Sequence, residues 1–150
     1  MSPQVTAWPE PVERIAAFLR AAGVEGRLEE LASGSELPPG PALRAEGFES
    51  SRGRLVALVP PKPALDCERL ARVARASTLR PAAAPSFPFD HARVFIERSV
   101  FAQRVVWLPV ASSEFVLGLA PQQLTHVTRA QSAILVLEEG TADVADRGRG

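Results

Sequence analysis

One cysteine, two histidines and a row of arginines are the side chains of this chain most able to do chemistry. Cys67 follows Asp66 where a helix-like stretch begins, and a helix N-terminus at that point would lower the thiol pKa. No histidine and acid cluster stands beside it in the sequence, so a structural thiol is the plainer reading, and a lone cysteine forms no internal disulfide. His91 and His126 lack metal-ligand spacing, which argues against a zinc site, and no metal or other cofactor is expected. A lone histidine such as His91 serves either as a general base or as the anchor of a loop through one hydrogen bond; the second is the commoner role. Arg69, Arg72 and Arg75 recur at i, i+3 spacing. Such a stripe can contact phosphates, yet it equally makes a solvated helix face on which Glu68 would pair with Arg72. Phe95, Phe101, Trp107 and Phe115 fall in strand-like segments at spacings suited to a core, with base stacking as the alternative use.

The elements that must position these groups are legible in the hydrophobic periodicity. Val12, Ile15, Ala16, Phe18, Leu19 and Ala22 recur with helical spacing between Pro11 and Gly23. Residues 25–31 read as a short strand, and 32–41 as a Pro/Gly-rich loop that cannot stay helical. Residues 42–49 and 54–60 predict a hairpin turned by Ser50-Ser51-Arg52-Gly53. Its second strand, Leu55-Val56-Ala57-Leu58-Val59, is apolar without alternation, which predicts burial on both faces. Asp66 caps a helix running to about residue 76, with Leu70, Val73 and Ala74 on its apolar side. A Pro/Ala-rich loop at 81–91 precedes strands at 92–97, 104–110 and 114–119, a helix opened by Pro121, and a last strand at 132–139. This order predicts a single α+β domain over residues 10–139, with a central mixed, strongly twisted sheet flanked by helices. Residues 1–9 read as an N-terminal extension and 140–150 as a flexible tail.

Composition is that of an ordinary globular domain: 150 residues, 46% hydrophobic and 23% charged, enough for a real core. The formal net charge is zero, so nucleic-acid binding would need a local patch rather than a whole-molecule field. Lys62 is the only lysine; the remaining positive charge is arginine. No apolar run approaches the roughly 18 residues that cross a bilayer, and the N-terminus lacks a signal-peptide pattern. A cytoplasmic protein without membrane contact is the resulting expectation.

Four segments stand in a telling order. Ala84-Pro85-Ser86-Phe87-Pro88-Phe89-Asp90-His91 leads to Val94-Phe95-Ile96-Glu97-Arg98-Ser99-Val100, then to Val105-Val106-Trp107, then to Val116-Leu117-Gly118-Leu119-Ala120-Pro121-Gln122-Gln123-Leu124. This run resembles the YbaK/prolyl-tRNA editing family of aminoacyl-tRNA deacylases. Members carry a Gly-Gly-x-x-Pro-Phe-Gly-His loop, a Val-x-Ile-Asp-x-Ser-Leu strand end, a Trp-bearing strand and an apolar-Gly-Leu-x-Pro-x-x-Leu stretch. Pro38-Pro39-Gly40-Pro41-Ala42-Leu43-Arg44-Ala45 is similar to the family's Pro-x-Gly-x-Ile-Val-Lys segment. The resemblance spans roughly residues 10–135 and lacks the helix that members insert between Leu31 and Pro38.

The resemblance implies hydrolysis in trans of the ester joining a wrong amino acid to tRNA, with tRNA and an aminoacyl-tRNA synthetase as partners. It assigns Arg44, at the family's lysine position, and Ser86, Phe87 and Pro88 of the loop to catalysis. It assigns Ala84, Pro85, Phe89, Asp90, His91, Ser99 and Ala111 to substrate binding. Chemistry of this kind needs an activated water and donors for the developing oxyanion rather than a Ser/His/Asp triad. Ala84, Pro85 and Asp90 stand where members have glycine, Ala111 stands at a bend usually made by glycine, and Glu97 replaces an aspartate. A left-handed backbone at Ala84 would be strained, and Pro85 removes a backbone N–H. The same replacements suit a second reading: a catalytically impaired relative that binds tRNA, an aminoacyl-nucleotide or a synthetase partner.

Overall fold

The hairpin dominates the architecture because its second strand has no polar face to give to water. In the computed structural model, which describes residues 8–31, 38–110 and 114–137, all of Leu55–Val59 are fully buried. The chain runs α1 (Glu10–Ala22), β1 (Arg27–Glu30), β2 (Arg44–Ser50), β3 (Gly53–Val59), α2 (Cys67–Ala74), β4 (Leu79–Ala82) and β5 (Arg93–Glu97). A 3-10 turn (Arg98–Ala102), β6 (Val106–Val110), β7 (Phe115–Leu119), α3 (Pro121–Thr128) and β8 (Gln131–Ala133) complete it. The α+β expectation holds, with a mixed sheet and three flanking helices.

The strands form two sheets. A five-stranded mixed sheet has the order β4-β2-β3-β5-β8, and a three-stranded antiparallel sheet has the order β1-β7-β6. A bridge between Ala42 and Trp107 joins them, made by Leu43 N–H to the Trp107 carbonyl (2.7 Å) and Trp107 N–H to the Pro41 carbonyl (2.8 Å). Side-chain alternation along β3 divides the core. Val56 and Leu58, with Val94 and Ile96, pack toward α1 and the smaller sheet; Leu55, Ala57 and Val59, with Phe95, pack against Leu70 and Ala74 of α2.

The helix ends follow their sequence signals. Gly23 takes φ 72° and its N–H closes α1 onto the Leu19 and Arg20 carbonyls. The Asp66 carboxylate accepts from the Glu68 and Arg69 N–H groups at the start of α2. Three features depart from expectation. Residues 79–82 form an edge strand where a loop was expected to begin at 81; Pro81 is tolerated there because an edge strand leaves one side of its backbone unpaired. Residues 98–102 form the 3-10 turn, capped by the Glu97 carboxylate on Ser99 N–H. The final strand stops at Ala133; beyond it Leu135 and Val136 N–H donate to Glu97 Oε1 at 2.7 and 3.3 Å, and the chain pairs again only at an isolated bridge between Val136 and Leu65. The extension up to residue 7 and the tail at 140–150 lie outside the described residues, as do positions 138–139 of the expected last strand.

Candidate functional site

The loop from residue 84 to 91 is held by two neighbours, one backbone and one aromatic. Gly47 on β2 pairs with Ala82, and a Cβ on Gly47 would lie 2.7 Å from Ala84 Cα and N. Only glycine lets the chain leaving β4 lie this close to β2. Phe87 and Phe89 then turn inward, edge-to-face with each other at 5.8 Å, and Phe87 meets Phe18 of α1 at 5.9 Å. Phe89 N–H donates to the Ser86 carbonyl at 2.7 Å, closing the turn.

The left-handed residues of this loop are Phe89 and His91, each at φ 66°, whereas Ala84 and Asp90 are not left-handed. The strain expected at Ala84 is therefore absent, and strain falls instead on two side chains that follow Pro88. Such a conformation costs a non-glycine residue on the order of 1–3 kcal/mol. Burial of the Phe89 ring, about 1.5–3 kcal/mol, is of the size needed to hold it.

A groove of about 310 Å³ opens beside this loop, walled by Ala84–Phe87 and Phe89, by Arg44 and Ala45 of β2, and by Pro109 and Val110 of β6. Among the described residues, the Ser86 and Phe87 N–H groups make no hydrogen bond, so two adjacent donors remain for a ligand. Arg44 stands at the rim. Alternation places it with Glu46 and Phe48 on the α2 side of β2, and its Nε donates to Glu46 Oε2 at 2.8 Å with the side chain 45% exposed. The groove thus combines backbone donors, apolar walls and one rim guanidinium already engaged by a carboxylate.

The comparisons with known proteins speak to the fold. No protein-family model matches the chain, and no curated protein matches its sequence. The structural likeness is clear. A candidate trans-editing enzyme for prolyl tRNA synthetase superposes with TM-score 0.75 at 18% identity, covering 88% of this chain and all of that one. A protein from a study of computational epitope grafting onto scaffolds gives TM-score 0.75 at 17% identity, over 87% of this chain and 99% of that one. A candidate signal transduction protein from Marinobacter aquaeolei VT8 gives 0.66 at 16% identity, with 95% of this chain matching 35% of that one. At these identities the shared property is the fold.

Not every residue assigned from sequence meets in the groove. Pro88, Asp90 and His91 line a separate cavity of about 530 Å³ with Phe18 of α1 and Val127–Arg129 at the end of α3, and Phe89 borders both spaces. Ser99 is exposed on the 3-10 turn, its N–H donated to Glu97 Oε2 at 2.9 Å, and it lines none of these cavities. Ala111 lies outside the described residues. Sequence reasoning gave Glu97 no role, yet its buried carboxylate ties three amides together across the 3-10 turn and the chain after β8. The signal was present: an acid ending an apolar strand has to be satisfied by something.

Other expectations resolve on packing. Trp107 is buried, its ring lying over Gly118, where a Cβ would come within 2.7 Å of it, and the Arg27 guanidinium sits 5.5 Å from the ring centre. It packs as a core side chain and also lines the largest cavity among those described. Cys67 is exposed, but partial burial of the thiol and the carboxylates of Glu46 and Asp66 push its pKa up, opposite to the lowering expected at a helix start. The Glu68–Arg72 pair does not form; Arg69 pairs with Asp66 at 3.4 Å instead. The largest cavity among those described, about 1080 Å³, lies away from the groove between the end of α1, β1 and residues 102–105. Among the described residues no helix is long and apolar enough to cross a membrane.

Proposed function

We propose that residues 10–139 form an editing domain of the YbaK/prolyl-tRNA type, a cytoplasmic hydrolase that removes a wrong amino acid from tRNA in trans. The observation that carries this reading is the groove, whose lining brings together the unbonded Ser86 and Phe87 N–H groups, apolar side chains and Arg44 at the rim. Ester hydrolysis adds water to the acyl carbon, develops charge on the carbonyl oxygen, and releases the ribose oxygen as a hydroxyl. Two adjacent backbone donors and a guanidinium are the kind of groups that stabilise that oxyanion. The apolar walls from Ala45, Phe87, Phe89 and Val110 suit a small side chain. His91 borders the other cavity, so a base role for it is disfavoured and proton transfer falls to water or to the substrate's own 2′-hydroxyl.

Deacylation across a panel of aminoacyl-tRNAs tests the proposal. Turnover on at least one member is expected, with Arg44→Ala lowering kcat/KM roughly 100-fold, the size of a lost oxyanion donor, and His91→Ala changing it little. No turnover on any member by the folded protein would sink the hydrolase reading. The Arg44–Glu46 ion pair and the N–H missing from Pro85 favour a second reading, a relative that binds tRNA or a synthetase partner without turnover. Turnover that Arg44→Ala abolishes rejects it.

A further inference from the structure

The second cationic site of this molecule is assembled from three elements that the sequence keeps apart. Arg69 and Arg72 of α2, Arg98 of the 3-10 turn, and Gln131 and Ser132 of β8 surround a depression of about 380 Å³ whose lining contains no acid. Arg69 is engaged by Asp66. The guanidinium groups of Arg72 and Arg98 form no ion pair or hydrogen bond among the described residues, and both residues are exposed. In a chain of zero net charge, with 17 cationic and 17 anionic side chains, two unpaired guanidinium groups in one acid-free concavity mark a place for an anion. The backbone that carries Arg98 is fixed by its neighbour. Glu97, next to Arg98, accepts from Ser99, Leu135 and Val136 N–H and so locks the turn to the chain after β8.

The sheet register relates this cluster to the groove. Arg44 pairs with Val59, Leu58 with Ile96 and Glu97 with Ala133. Continuing the register by one residue places Arg44, Val59, Glu97 and Ala133 in one row at one end of the five-stranded sheet. Two strand spacings, about 10 Å, separate the backbone of Arg44 from that of Glu97. Arg44 shares the α2 side of the sheet with the cluster. The groove walls Ala45, Phe87, Phe89 and Val110 belong to the α1 side, so it is the Arg44 rim that gives onto the face bearing the cluster. A polymer with regularly spaced phosphates leaving the groove past Arg44 can reach the arginines. We infer that Arg72 and Arg98, with Arg69 beside them, bind backbone phosphates of the RNA whose 3′ end occupies the groove. The inference rests on the proposed function for the identity of the polyanion.

The test is binding of uncharged tRNA over a range of salt, alongside deacylation, for the wild type and for Arg72→Glu/Arg98→Glu. The double variant is expected to weaken tRNA binding roughly tenfold or more and to make the slope of log affinity against log salt shallower by about 2. Its kcat at saturating tRNA is expected to stay within about twofold of wild type, because neither side chain lines the groove. Should the double variant fold poorly, Arg98→Gln alone is expected to reduce the slope by about 1. Unchanged affinity and slope would overturn the inference, as would a wild type that binds no tRNA. A wild type that binds tRNA without turnover leaves the phosphate site standing and removes only the hydrolase reading. If AMP and inorganic phosphate lose affinity in the double variant while tRNA does not, the cluster holds a small phosphate ligand and the polynucleotide reading falls.

Discussion

The two halves of the 84–91 loop are contiguous in sequence and face different spaces. Ala84–Phe87 border the small groove beside Arg44, whereas Pro88, Asp90 and His91 border the cavity between α1 and α3. Phe89 is the partition. The first half is set by close approach to Gly47, and the second by left-handed backbone at Phe89, whose ring is buried, and at the exposed His91. A loop that aligns as one motif can thus serve two surroundings, and only its first half borders the groove beside Arg44.

The partition is the most sensitive point. Phe89→Ala is expected to cost about 3–5 kcal/mol in urea unfolding, since it empties a buried aromatic site and joins the two spaces. A loss under 1 kcal/mol would mean that the loop is not held by this ring. Gly47→Ala should act on the first half alone. Its new Cβ meets the Ala84 backbone, which cannot yield as a flexible side chain would, so about 1–3 kcal/mol of stability and most groove activity are expected to go. Normal turnover in that variant would detach Ala84–Phe87 from function. The smallest effect belongs to His91→Gly, which removes an exposed side chain from a left-handed backbone. Stability is expected to rise by up to about 1 kcal/mol with deacylation unchanged; a fall in turnover would bring the second half back into the site.

Much of the fold was legible without coordinates. The continuous apolar run at 55–59 announced a strand covered on both faces, Pro11 and Gly23 bracketed α1, and Asp66 marked the start of α2. The edge strand carrying Pro81 was not legible, since proline is read as a breaker until its unpaired side is known to face away from the ladder. Nor was the early end of β8, beyond which a carboxylate 38 residues away in sequence captures Leu135 N–H. The candidate groove was partly legible: Arg44 and the first half of the loop border one space, whereas Ser99 and His91 lie outside it. Sequence likeness treats motif residues as a set, while side-chain direction is decided by local φ and by strand parity.

For this protein, local chemistry in the sequence determined which segments are helix or strand, because periodicity, caps and turns act over a few neighbouring residues. It also carried the order of motifs that suggests an editing fold. The tertiary structure alone decided that Arg44 sits at a rim bound to Glu46, that the loop is split by Phe89, and that Arg72 and Arg98 converge. Those outcomes depend on register between distant strands and on how closely backbones approach at Gly47, and neither is written in the residues of one segment.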